Sequence, residues 1–142
     1  MSYRDKFLQT RSELGSHRQY CKDVFLKFAN DMTGLLKVEF ISDVTVRICK
    51  KDAKSLRDMS PEDAVNITRG THRGLEDFSV IFDLQIDPIQ IRGLEGHRYC
   101  SSKDLELTLE NLMSDQYFVY FMGEISNLRK VLAKPISTGN SN

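Results

Sequence analysis

The side chains that could do chemistry in this chain are two aspartates, a histidine and a cysteine. Asp83 and Asp87 lie four residues apart in a predicted strand, so their carboxylates would share one face about 13 Å apart, too far to act on one bond. His97 and Cys100 could pair as a base and a thiol, but no third group is identifiable that would orient the histidine. We therefore expect no catalytic site and do not expect an enzyme.

The histidines and cysteines also lack the spacing of metal ligands. No CxxC pair occurs, and no glycine-rich loop of the form GxxxxGK[ST] is present to hold a phosphate. An odd number of widely separated cysteines argues against a disulfide framework and indicates a reducing, intracellular compartment. We expect no metal and no cofactor. The residues concerned are His17, His72, His97, Cys21, Cys49 and Cys100.

Composition limits the number of domains and the kinds of partner. With 142 residues, 40% hydrophobic and 28% charged, the chain suffices for one compact core. The formal net charge is zero, so we expect neither nucleic acid nor an anionic membrane as a partner. No run approaches the roughly 18 apolar residues of a membrane span, and the charged start does not fit a secretory signal. The main basic group is interleaved with acidic residues; it comprises Lys50, Lys51, Lys54 and Arg57.

The elements that must position any functional group begin with an N-terminal helix over residues 1–33. Apolar residues recur there at steps of three and four, as one face of a helix requires, and several lie at heptad spacing. Thr10 and His17 interrupt the seam and Gly15 weakens the first half, so we expect a weak coiled coil that pairs with a protein partner in a homodimer or heterodimer. The alternative is that the helix packs on its own domain. The predicted interface comprises Phe7, Leu14, Cys21, Val24, Phe25 and Phe28.

A globular α+β domain is predicted for residues 34–134. Thr33-Gly34 should end the helix, and alternation then predicts strands near 36–40 and 44–48. The longest alternating run, 78–87, should be the central strand. It should end at Asp87 because Pro88 cannot continue a ladder, and Ile89–Ile91 would form an edge strand or an exit turn. We expect an antiparallel sheet of three to four strands.

The remaining segments are an insertion and a C-terminal helical region. The insertion, 51–77, contains a helix with Ser60 as its N-cap and Gly70 at its end, and we expect it to be mostly solvated. Residues 104–113 and 115–133 predict helices that pack on one sheet face, although 104–109 and 117–122 also fit strands. Residues 135–142 would be a disordered tail. Two tyrosines off the best helical face would line a groove for a partner peptide, Tyr117 and Tyr120.

The order of these elements carries a family resemblance. A coiled-coil helix, a glycine-containing entry into a strand pair, a central strand and closing helices together resemble the RWD-type domains of kinetochore proteins. The likeness covers about residues 24–50 and 78–133 and is nearest to a globular subunit of the outer-kinetochore microtubule-attachment complex, then to the monopolin subunit. The segments that carry it are 33–36, 78–84, 109–112, 115–121 and 128–132.

The resemblance implies a noncatalytic subunit of a chromosome-segregation assembly in the nucleus. Such a protein would dimerise through its coiled coil with a sister RWD subunit and bind a peptide from an inner-kinetochore receptor. A different interpretation is a small α+β adaptor or secretion-type chaperone, which would bind a peptide on an exposed apolar sheet face. An acidic chain would favour that alternative, and the charge balance here does not.

Overall fold

The computed structural model describes residues 2–71, 77–94, 96 and 98–124 of the chain. These residues form a long helix, an antiparallel sheet and shorter helices, which confirms the predicted α+β class. The elements are α1 (Tyr3–Asp31), β1 (Leu36–Phe40), β2 (Thr45–Lys50), α2 (Pro61–Arg69), β3 (Ser79–Asp83), β4 (Ile89–Arg92), β5 (Arg98–Cys100), α3 (Leu105–Met113) and α4 (Gln116–Val119).

Helix α1 is longer than the sheet can cover. The Ser2 hydroxyl caps its start by accepting a hydrogen bond from the Asp5 backbone N–H at 3.1 Å, and the helix ends just before the predicted Thr33-Gly34 break. Its 29 residues extend about 43 Å at 1.5 Å per residue. Helix α1 runs along the strands, from contacts with Leu84 and Asp43 at one end of the sheet to the hydrogen bond between the Met32 carbonyl and the Leu36 N–H at the other. The six residues of β2 span only about 20 Å in that direction.

The described strands form one meander in the order β1-β2-β3-β4-β5. Ile48 in β2 lies opposite Val38 in β1 and Val80 in β3, so these three side chains share one face. The position of β3 in the middle of the sheet matches the prediction of a central strand there.

Two details of the predicted sheet are wrong. The central strand ends at Asp83 instead of Asp87, because the Asp83 carboxylate accepts a hydrogen bond from the Gln85 backbone N–H at 3.0 Å and turns the chain. In addition, β4 is not an edge strand, since it pairs with both β3 and β5. Strand β5 has only three residues, too few to show alternation, so the sheet has one strand more than the sequence predicts.

The main hydrophobic core lies between one sheet face and three helices. At its centre the rings of Phe25 and Phe82 meet edge to face, with centroids 5.0 Å apart. The sequence predicts separate segments over residues 1–33 and 34–134, and α1 of the first segment contributes side chains to this core of the second. The core includes Val46, Ile48, Val80, Phe82, Ile89 and Ile91 from the sheet, Cys21, Val24 and Phe25 from α1, Leu105, Leu109 and Leu112 from α3, and Phe118 from α4.

The insertion packs on the opposite sheet face through a few buried residues, while most of residues 51–71 are exposed as expected. Leu56 and Ile67 from the insertion are buried against Ile81 of β3 and form a second, smaller core. The signal was present in the sequence, because Ile81 interrupts the polar positions of the central strand. An isolated isoleucine on a polar face indicates a cover whose identity the strand pattern does not reveal.

Two glycines allow the insertion to approach the sheet closely. Gly70 ends α2 as predicted, with φ at +75°, and a Cβ there would meet the Arg92 side chain and the Gly93 backbone. Gly93 has φ at +98°, and a Cβ there would collide with the Ser79 carbonyl oxygen. These contacts fix the end of α2 against β3 and β4.

The C-terminal region is helical where the structure describes it, so the helical alternative holds over the two ambiguous segments. Helix α3 buries Leu105, Leu109 and Leu112 on the sheet, and α4 continues into a π-helical turn over Tyr120–Glu124. The predicted continuation of this helix to residue 133 and the tail at 135–142 lie outside the described residues.

Candidate interaction surface

The C-terminal half of α1, residues 17–31, is anchored on the protein's own sheet. Cys21 and Phe25 are fully buried and Val24 is nearly so. While the chain holds this fold, these three residues are unavailable to a partner helix, which corrects their place in the predicted interface. The apolar residues at heptad spacing in this half pack on an apolar sheet face that lies directly beneath the helix.

Polar contacts also hold this half of the helix in place. His17 donates from Nε2 to the Leu84 carbonyl at 3.1 Å, and the next residue, Arg18, donates to the Gln85 carbonyl at 3.0 Å. Lys22 reaches Asp43 in the β1–β2 turn at 3.0 Å. Among the described residues, the side-chain hydrogen bonds from α1 to the strand connections begin at residue 17.

The N-terminal part of α1, Tyr3–Leu14, is called the projecting segment here. Tyr3 is 97% exposed and Phe7 is 65% exposed, whereas Leu14 is half-buried. Its hydrogen bonds and ring contacts to described residues stay within the helix and its cap. The Thr10 hydroxyl donates a hydrogen bond to the Lys6 carbonyl, and the Arg11 guanidinium lies over the Phe7 ring. The segment thus projects at its start, around Tyr3 and Phe7, whereas Leu14 at its end is already partly covered.

One apolar stripe runs through both parts of the helix. Phe7 and Leu14 are followed at the same spacing by Cys21 and Phe28, so all four lie near one face. Cys21 is buried and Phe28 is half-buried against the core, whereas Phe7 is largely open to solvent. The predicted interface is therefore split by the structure into an anchored part and an exposed part.

The predicted groove residues Tyr117 and Tyr120 come together around a third aromatic ring. The Phe121 ring lies 4.6 Å from that of Tyr117 and 5.4 Å from that of Tyr120, and it stacks on Phe78 at 4.9 Å. Both tyrosines remain about half exposed. We call these four residues the aromatic cluster. Its centre, Phe121, was assigned by the sequence only to a helical core face.

A buried ion pair lies beneath the insertion. Arg47 is fully buried and donates to Glu39 at 2.9 Å, to the Ser79 hydroxyl at 2.8 Å and to the Lys54 carbonyl at 2.9 Å. Burial alone would raise the Glu39 pKa, but hydrogen bonds from Ser55 and Arg47 outweigh it and hold that pKa below its usual value. The ionised pair ties the insertion to β1 and β2, which is a structural role.

The three cysteines are free thiols in environments that disfavour the thiolate. Burial raises the pKa of Cys21 to about 12, and it also raises the pKa values of Cys49 and Cys100. The thiol is the weaker nucleophile, so none of these sites is activated. His97, the base considered for Cys100, lies outside the described residues.

The two aspartates considered for joint chemistry are held by different partners. Asp83 accepts from Arg92 at 3.3 Å on the insertion side of the sheet. Asp87 lies beyond the strand and accepts from the backbone N–H and hydroxyl of Ser102, each at 3.0 Å. These contacts place the carboxylates in two separate structural roles.

The described residues offer neither a metal site nor a membrane-spanning helix, and the basic group is split by burial. Among residues 2–71, 77–94, 96 and 98–124, no three histidine, cysteine or acidic side chains are grouped so as to hold a metal ion. Over the same part of the chain, no helix has the length and apolar character needed to cross a membrane. Lys50 of the basic group is buried, while Lys51, Lys54 and Arg57 are exposed.

The fold and this surface define the class of protein: an α+β protein that carries a projecting helical segment. No family model matches the chain, and neither does any curated protein or solved structure.

Proposed function

We propose that this protein is a noncatalytic interaction subunit that associates with another protein chain through the projecting segment of α1. The supporting observation is the exposure of Tyr3 and Phe7 on the same stripe that the anchored half buries. The helical order of a segment whose Tyr3 and Phe7 side chains stay exposed suggests that a partner completes it.

The energetics of helices support this assignment. An isolated helix of about 12–15 residues is marginal in water, although the anchored half supplies the nucleus here and the Ser2 cap adds about 1 kcal/mol. Full burial of an aromatic or leucine side chain contributes roughly 1.5–3 kcal/mol. Covering Phe7 and Leu14 would therefore stabilise both the helix and the complex.

The aromatic cluster is the second contact in the proposal. Aromatic residues are enriched in protein interfaces because they bury a large area, and a tyrosine also offers a hydroxyl for hydrogen bonding. Tyr117 and Tyr120 present such rings beside the core. We assign them to docking of a partner peptide.

The resemblance to RWD-type kinetochore domains extends the proposal to a chromosome-segregation assembly in the nucleus. This extension rests on the residue pattern quoted above. The chaperone alternative requires an exposed apolar sheet face. In the described part of the chain, helices cover one sheet face, and Leu56 and Ile67 of the insertion cover Ile81 on the other, while Tyr99 of β5 stays exposed there. This cover favours the subunit over the chaperone.

Light scattering coupled to size exclusion tests the proposal at two protein concentrations about tenfold apart. We expect a multimer that dissociates on dilution, and Phe7→Asp should shift it to the monomer. Leu26→Asp is the matched control, because Leu26 is an exposed apolar residue of α1 that lies off the stripe. Equal loss in both variants would contradict the proposed surface, and a monomer at both concentrations would exclude a homodimer.

A further inference from the structure

A groove lies beside the anchored half of α1, between it and α3. Its floor contains Phe28, Met32 and Met113, which are half-buried against the main core. The groove has a volume of about 360 Å³ and opens to solvent along the helix pair. Floors of this kind accept apolar side chains of an incoming helix.

The rim of the groove is acidic. Asp31, Glu106 and Glu110 line it, and Lys27 is the basic residue of the lining. Lys27 lies 3.9 Å from Glu106, whereas Asp31 and Glu110 have no ion pair among the residues that the structure describes. The groove therefore favours a helix that carries positive charge next to its apolar side chains.

The projecting segment has this chemistry. Arg4, Lys6 and Arg11 outnumber its two carboxylates, and they flank the exposed Tyr3 and Phe7. Its N-terminus also carries the positive end of the helix dipole, which favours nearby carboxylates. The segment and the groove are thus complementary in both charge and apolar character.

We infer that the projecting segment of one copy docks antiparallel in the α1–α3 groove of a second copy. This rests on the proposed function and names its partner as the same chain. Each copy offers one segment and one groove, so a twofold axis makes the contact twice and closes the dimer. The groove is incomplete until the second copy supplies Tyr3 and Phe7.

The register follows from the length of the helix. Phe7 and Phe28 are separated by about 32 Å at 1.5 Å per residue. If the twofold axis passes between the two α1 helices at the level of His17 and Arg18, Phe7 reaches the level of Phe28 in the other copy. The same axis brings Arg4 to the level of Asp31.

A parallel arrangement is less favourable on the same observations. Cys21 and Phe25 are buried, so a parallel coil would be restricted to the projecting segment and its two heptad apolar layers, Phe7 and Leu14. Two heptads are marginal for a coiled coil. It would also place the basic side chains of two identical segments side by side.

Photocrosslinking of the full chain tests the register. A benzophenone amino acid replaces Phe7, a light and an isotopically heavy preparation are mixed, and crosslinks between copies are mapped by mass spectrometry. Crosslinks to residues 24–32 or 106–113 of the other copy are expected. Crosslinks to residues 3–14 of the other copy would overturn the antiparallel register and leave the proposed function standing. A chain that is monomeric without crosslinks would overturn the inference that the partner is a second copy, and the proposed function would then require a different chain as the partner.

Charge exchange provides a second test that does not depend on the photoprobe. Arg4→Asp and Asp31→Arg should each weaken dimerisation about tenfold, because each reversal acts at both symmetric contacts. The double variant should recover most of this loss. Asp52→Arg is the matched control at an exposed turn. Absence of recovery in the double variant would overturn the pairing of Arg4 with Asp31.

Discussion

The two halves of α1 have the same apolar spacing and opposite surroundings. Residues 17–31 bury Cys21 and Phe25 against the sheet and donate side-chain hydrogen bonds to the β3–β4 connection. The projecting segment presents Phe7 to solvent and makes its described contacts within the helix and its cap. Heptad spacing therefore indicates that a surface must be covered, while the surrounding elements decide whether the cover comes from the same chain.

Phe25→Ala should produce the largest change in stability. Truncation of a buried phenylalanine costs about 3–5 kcal/mol, and the edge-to-face contact with Phe82 is lost as well. The free energy of unfolding is measured by urea titration under conditions in which the wild-type chain is monomeric. A loss below about 1 kcal/mol would mean that the anchored half is not part of the core.

Phe28→Ala should have an intermediate effect and connect the two halves. Phe28 is half-buried against the core and also lines the α1–α3 groove, so we expect about 1–2 kcal/mol of lost stability together with weaker dimerisation. Urea titration gives the first quantity, and sedimentation at several concentrations gives the second. If dimerisation were unchanged, the α1–α3 groove would not be part of the interface between copies.

Gly15→Ala should stabilise the helix by up to about 1 kcal/mol. A Cβ at Gly15 meets no atom within 4 Å, so the substitution has space, and it removes a glycine from a helix interior. The expected readout is increased helical circular dichroism with a tighter dimer. Weaker association would show that the glycine is needed at the contact between copies.

Phe7→Ala should change the stability of the monomer least, by less than about 0.5 kcal/mol. Phe7 makes its described contacts within the projecting segment, so its loss leaves the core unaltered. The comparison with Phe25→Ala then measures the difference between the halves directly in urea titrations. Comparable losses in the two variants would show that Phe7 packs on its own domain.

The strongly patterned elements could be predicted, whereas their partners could not. Alternation located β1, β2 and the core of β3, and the Ser60 cap with Gly70 located α2. Strand β5 was not predicted because three residues are too few to show alternation. The insertion was expected in solvent because its apolar residues are sparse.

The interaction surface shows the same limit. The spacing selects Phe7 and Leu14, which the structure leaves exposed and half-buried, and it also selects Cys21 and Val24, which belong to the core. Helical periodicity fixes which residues share a face. Which face meets the sheet depends on residues far away in the sequence, such as Phe82.

Amide hydrogen exchange along α1, measured at low and high protein concentration, tests the central claim most directly. At low concentration the amides of residues 7–14 should exchange quickly, while those of residues 18–31 stay protected by the core. At high concentration, protection should extend into residues 7–14. Equal and strong protection of both halves at the lowest concentration would contradict the account, because the projecting segment would then be covered by its own chain.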